Sequence, residues 1–140
     1  MAALVAYEEA LTIRRKLAAA DPDNIEGQRD LGAILHKLGD AHFDANDHAA
    51  ALAAYEESLT IRRRLAASDP TKPGWQADLA VALYNISTVD PLRASAALHE
   101  ALAIIDALAR DGKILAYEKN LRQRFLDAVA KLPSNTAEIR

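Results

Sequence analysis

The stretch AYEEALTIRRKLAAADP, residues 6–22, returns as AYEESLTIRRRLAASDP at residues 54–70, with fourteen of seventeen positions identical. A close duplication at an interval of 48 residues marks a chain built from stacked copies of one supersecondary unit. Such a unit cannot bury its apolar face alone, and its neighbours complete the core. Working outward, a degraded third copy, ALHEALAIIDALA at 97–109, keeps Ala97, Glu100, Leu102, Ile104, Leu108 and Ala109, at an interval of 43. A second element alternates with the first: GQRDLGAILHKLGDA from Gly27 matches WQADLAVALYNISTV from Trp75, and YEKNLRQRFLDAVA from Tyr117 preserves an aromatic, Leu121 and Phe125.

Both elements read as helix. Leu31, Leu35, Leu38 and Ala41 recur at the three-and-four spacing of one helical face, as do Leu52, Tyr55 and Leu59. Ala54, Ser58, Ile61 and Leu65 form a further stripe on that second segment, so it should be covered on two sides, as an inner member of a stack is. Proline breaks the chain at Asp21-Pro22 and Asp69-Pro70, because it disfavours helical geometry in the preceding residue and lacks an amide donor. Asp47 and Asp90 are candidate N-caps, with Pro91 in a first helical position. The basic runs Arg14-Arg15-Lys16 and Arg62-Arg63-Arg64 read as charges complementing helix C-termini. They lack the interleaved aromatics and wide basic face of a nucleic-acid site. These signals predict six helices, at about 2–20, 24–45, 47–68, 73–89, 91–111 and 113–131, with residues 1–132 as the repeat domain and 133–140 as a polar tail.

Composition agrees with this all-α expectation. Alanine supplies 31 of 140 residues, which favours helix and close approach of helix axes, whereas glycine and proline number only five each. A net charge of -3 points to neither nucleic acid nor an anionic membrane. No run of about eighteen apolar residues is present to span a bilayer, and the N-terminal MAALVAYEEA lacks the positive start of a signal peptide. Cysteine is absent, which fits a reducing, cytoplasmic location and excludes thiolate chemistry.

Leu38-Gly39, then His42, then Ala51, Tyr55 and Ser58 resemble the tetratricopeptide repeat, whose signature runs leucine-glycine, an aromatic three residues on, then alanine and an aromatic four residues later. The resemblance covers most of the chain. Its intervals of 48 and 43 exceed the family's usual period of about 34, as in the longer repeats of kinesin light chains and bacterial signalling scaffolds. His42 stands where the family has tyrosine, and Ile86-Ser87 replaces leucine-glycine in the second unit. The turn after Ile86-Ser87 is shortened, so a local change of twist is expected there.

The resemblance implies an α-α superhelix, a TPR-like solenoid of about six antiparallel helices. It also implies a protein-protein interaction module whose concave face, lined by the first helix of each pair, holds a protein or peptide. Transferred by register, the partner-binding residues are Arg29, His36 and Asp40 in the first unit, Tyr84, Asn85 and Thr88 in the second, and Lys119, Arg122 and Gln123 in the last helix. This mix does not reproduce the lysine and asparagine clamp of members that hold a C-terminal carboxylate.

Little points to catalysis or to a cofactor. There is no glycine-rich phosphate loop, HExxH or G-x-S-x-G. His36 and Asp40, four apart on one helix, could meet a metal with His42 or His48, but the second unit has Tyr84 and Thr88 in their places, and a solvated face is the preferred reading. Tyr7, Tyr55 and Trp75 are expected in the core. The pairs Glu8-Glu9 and Glu56-Glu57 should point about 100° apart rather than share a proton. A non-enzyme is therefore expected, with no metal. The alternative to groove binding is a structural spacer or self-assembly segment acting through its ends. Leu4, Leu11 and Leu17 on the first helix, and Leu121, Phe125 and Val129 on the last, would each lack a covering neighbour, and a homo-oligomer through these uncapped helices would supply one.

Overall fold

The computed structural model describes residues 2–114 and 116–133, so most of the expected tail lies outside the described residues. Six helices follow one another: α1 (Ala2–Ala20), α2 (Ile25–Asp44), α3 (His48–Ser68), α4 (Pro73–Val89), α5 (Ala94–Arg110) and α6 (Ala116–Ala130). No strand occurs among the described residues. The connections of three to five residues are too short for anything but chain reversal, so consecutive helices run antiparallel. Each packs chiefly on its sequence neighbours, and α4 also meets α6.

Capping sets several of these limits. Asn24 accepts the Gly27 amide at 3.1 Å to open α2, and Asp47 accepts the Ala50 amide at 3.1 Å to open α3. Asn46, at φ 62°, supplies the left-handed turn between them. Asp90 departs from its expected role. Its amide closes α4 on the Ile86 carbonyl and its carboxylate takes the Leu92 amide at 3.2 Å. Residues 91–93 therefore form a turn, and α5 begins at Ala94 rather than at Pro91.

The core has two parts. Ala18, Leu31, Leu35, Ile61 and Leu65 gather where α1, α2 and α3 meet, with Trp75 packed alongside. Tyr55, Leu59, Ala80, Leu83, Ile86, Ala101, Ile105 and Phe125 form the larger cluster. As the double stripe requires, Ala54, Ser58, Leu59, Ile61 and Leu65 of α3 are all buried. The α2–α3 approach is closest at Gly39, where a Cβ would lie 2.4 Å from the Tyr55 ring. Leucine-glycine is thus a packing device here, making room for an aromatic from the next helix.

The ends differ from expectation and from each other. Phe125 is fully buried and Leu121 and Val129 are half-buried, so α6 shows no bare apolar stripe. On α1, Leu4 and Leu11 are half-covered, whereas Val5, Ile13 and Leu17 are 52%, 59% and 57% exposed.

Candidate functional site

The first three expected groove residues converge with three that the sequence did not suggest for the site, Tyr55, Arg62 and Asp78. Asp40 Oδ1 accepts the Tyr55 hydroxyl at 2.5 Å, and its Oδ2 lies 3.3 Å from His36 Nε2. On the other side of the imidazole, Arg62 Nη1 stands 3.3 Å from Nδ1. A guanidinium only donates, so Nδ1 accepts and the hydrogen on Nε2 goes to Asp40. Tyr55 also meets the His36 ring edge-on, with centroids 6.4 Å apart. Arg29 reaches Asp78 of α4 at 3.5 Å, and Asp78 also bears electrostatically on Arg62. Arg29, His36, Asp40, Tyr55, Arg62 and Asp78 thereby form one polar chain linking α2, α3 and α4. His36 is half-buried and bonded at both nitrogens, which corrects its reading as a solvated surface residue.

The electrostatics follow from this arrangement. Burial raises the Asp40 carboxyl, but the hydrogen bonds from His36 and Tyr55, with the charge of Arg62 nearby, outweigh it and hold the group below the ordinary aspartate range. Burial and then the bond to Asp40 push the Tyr55 phenol far above its usual value. Burial lowers Arg62, opposed by Asp78 and assisted by repulsion from Arg29.

Asp40 opens onto a cleft of about 470 Å³ between α1 and α2, which Leu4, Tyr7, Lys37 and Asp44 also line. A second cleft, of about 280 Å³, lies between α4 and the end of α6, against Tyr84, Arg124, Asp127 and Lys131. Tyr84 stacks on Phe125 at 5.3 Å and 27°, and the Arg124 guanidinium sits 5.1 Å from its ring centroid. Tyr84 is therefore half-buried, with one edge toward solvent.

The remaining expected residues separate. Asn85 is 8% exposed, which removes it from any contact surface: its register faces the core. Thr88 is exposed, but its hydroxyl donates to the Asn85 carbonyl at 2.7 Å. Lys119 is exposed on α6. Gln123 bonds Asp127 at 2.9 Å, and Arg122 holds Asp106 of α5 at 2.6 Å. The structure thus unites the first-unit residues, keeps Tyr84 at a cleft, and turns Arg122 toward α5.

The basic runs are also corrected. Arg62–Arg64 lie before the last turn of α3, and Arg62 and Arg63 bond across helices instead of capping it. Arg15 holds Glu57 through two bonds of 2.5 and 2.9 Å, and Arg63 holds Glu100 through two of 2.7 and 3.2 Å. Arg14 pairs with Asp30 at 3.1 Å, and Arg93 with Glu56. Glu56 and Glu57 therefore point to different neighbours, the turn before α5 and helix α1. The exact 48-residue recurrence of Arg15 as Arg63 was the available signal for this ladder. Among the described residues no group of three or more histidine and acidic side chains could hold a metal ion. No described helix is long and apolar enough to cross a membrane.

The fold and clefts define an all-helical protein of consecutively packed hairpins. No protein-family profile, curated protein or solved structure matches the chain.

Proposed function

We propose that this chain is a tetratricopeptide-like interaction module, a short solenoid that binds a peptide or protein partner along the face of its even-numbered helices. One observation carries the proposal. The polar chain through Asp40 and the aromatic stack at Tyr84 each border an open cleft, so charged and aromatic groups stand along one series of helices. A partner would place donors against Asp40 and Asp44 and an apolar or cationic group against Tyr84. Binding suits these groups better than acid-base chemistry. Asp40 is held ionised and Tyr55 protonated, which moves both away from the poised values that proton transfer near neutrality requires. A cytoplasmic setting accords with the cysteine-free composition.

A peptide-array screen with the purified chain tests the proposal. Ligands found this way should be lost on Asp44→Lys, which reverses the charge at the cleft, and weakened about tenfold or more by Tyr84→Ala, in line with truncating an aromatic anchor. Arg63→Ala should leave them bound, because Arg63 is committed to Glu100. Equal loss in all three variants would reject the assignment of the face. A second reading, a spacer or assembly segment that binds through its end, is favoured by the exposure of Ile13 and Leu17 on α1.

A further inference from the structure

Because α1 and α3 share their sequence register, the structure shows what the bare side of α1 is shaped to receive. Ala3, Ala6, Ile13 and Leu17 are exposed, yet their counterparts Ala51, Ala54, Ile61 and Leu65 are 0%, 7%, 5% and 6% exposed. Helix α2 supplies the cover. Ile61 lies 3.6 Å from the position a Gly32 Cβ would take, the Ser58 hydroxyl donates to the Gly32 carbonyl at 2.9 Å, and Tyr55 fills the space left by Gly39. A charged pattern accompanies this packing. Glu57 and Glu100 are each gripped by an arginine of the preceding odd-numbered helix. Their counterpart on α1, Glu9, has no ion-pair partner among the described residues.

We propose that the bare face of α1 is a docking surface for a helical hairpin of this chain's own repeat chemistry. One helix of that hairpin presents small residues in the registers of Gly32 and Gly39, and the other presents an arginine to Glu9. The inference rests on the end-binding reading and names its occupant. A second copy of the chain does not provide such a hairpin. Its α2 and α4 already carry α3 and α5, and α6 has Arg122 and Val129 in the registers of Gly32 and Gly39. The arginine ladder also stops there, since Asp106 takes the register of Arg63 and pairs with Arg122. The α6 end is sealed by the same comparison that leaves the α1 end open.

The absence of cysteine allows a site-specific test. An extended chain, residues 1–53 followed directly by residues 6–140, joins a new hairpin to α1 as α2 joins α3. With Ile13→Cys in the original α1, thiol labelling should slow on the order of a hundredfold in the extended chain, as expected for a site reached only by local opening. Thr12→Cys should label equally in both chains, because its counterpart Thr60 stays exposed in α3. Ile61→Cys, buried in both, reports that each is folded. A synthetic peptide of residues 22–47 added to the unextended Ile13→Cys chain is a second measurement, and should protect the thiol as its concentration rises. Unchanged labelling of Ile13→Cys with extension and peptide alike overturns the hairpin. If that thiol is instead protected as the unextended chain is concentrated, copies cover one another through α1, which overturns the hairpin but keeps end binding. Labelling indifferent to extension, peptide and concentration overturns both.

Discussion

The two halves of the molecule fill one repeat register by different physics. In the first half His36 occupies a position where hydrogen bonds to Asp40 and Arg62 satisfy it, and Gly39 clears space for Tyr55. In the second half the same positions hold Tyr84, stacked on Phe125, and Ser87, whose hydroxyl turns back to the Tyr84 carbonyl. A polar chain joins the helices in one case, an aromatic stack in the other. Burial without hydrogen-bond partners is costly for the first solution and nearly free for the second. A helical repeat therefore tolerates wide exchange of residue type at a register, provided that every group introduced is either satisfied or apolar.

The largest expected break in this comparison is Phe125→Ala, because the ring is fully buried in the main core cluster. Chemical denaturation should show a loss of about 3–5 kcal/mol, and a double-mutant cycle with Tyr84→Ala should isolate a coupling of roughly 1 kcal/mol for the stack. A loss below about 1 kcal/mol would mean that α6 does not complete the core. The next effect is Gly39→Ala. A methyl 2.4 Å from the Tyr55 ring forces the aromatic to shift, at an expected cost of about 2 kcal/mol after the better helix propensity of alanine is credited. Ser87→Ala, at the equivalent place, should change stability by less than about 0.5 kcal/mol.

The polar half should also be distinguished by its response to acid. Asp40 has a folded-state pKa below its unfolded value, so between the two values the unfolded chain binds more protons and stability rises with pH. Its contribution is complete above the ordinary aspartate value of about 4 and is lost as pH falls toward the depressed one. Tyr55→Phe removes one of the hydrogen bonds responsible and should cost about 1 kcal/mol at neutral pH. It should also reduce the slope of unfolding free energy against pH below about 4. The same slope in both proteins would show that the hydroxyl does not set the Asp40 ionisation.

Periodicity made the helices legible, because the spacing of Leu31, Leu35 and Leu38 and the double stripe of α3 state which faces must be covered. The start of α5 was less legible. Aspartate before proline is an N-cap signal, and here the same carboxylate serves a turn while its amide ends α4. The candidate site was legible only within one helix at a time. His36 and Asp40 stand four residues apart and read as a pair, but Arg62 lies 26 residues and Asp78 more than 40 residues from His36, and their approach depends on tertiary packing. Arg62 looked like helix-end charge because the run of three basic residues hides that Arg62 turns to His36 of α2 and Arg63 to Glu100 of α5. Asn85 was placed beside Tyr84 by sequence, though a helix turns adjacent residues about 100° apart and sends one inward.

The smallest expected effect concerns the arginine ladder, and it separates the two ends of the molecule. The bidentate pairs Arg15–Glu57 and Arg63–Glu100 are roughly half exposed, so solvent and side-chain entropy leave each about 0.5 kcal/mol. Arg15→Met and Arg63→Met should each lose that amount in low salt and almost none at 1 M salt, where exposed charges are screened. At the sealed end the sign of the ladder is reversed. Asp106→Arg places a second guanidinium beside Arg122, and should destabilise slightly more than Asp106→Ala. Combining it with Arg122→Asp should recover the difference, because the exchanged pair restores attraction across α5 and α6. Glu9→Gln at the open end should be neutral in the isolated chain, since Glu9 has no ion-pair partner to lose among the described residues. In the extended chain the same substitution should cost about as much as Arg63→Met. A neutral result in both chains, alongside a measurable loss at Arg63, would confine the ladder to α1, α3 and α5 and show that its register does not continue past α1.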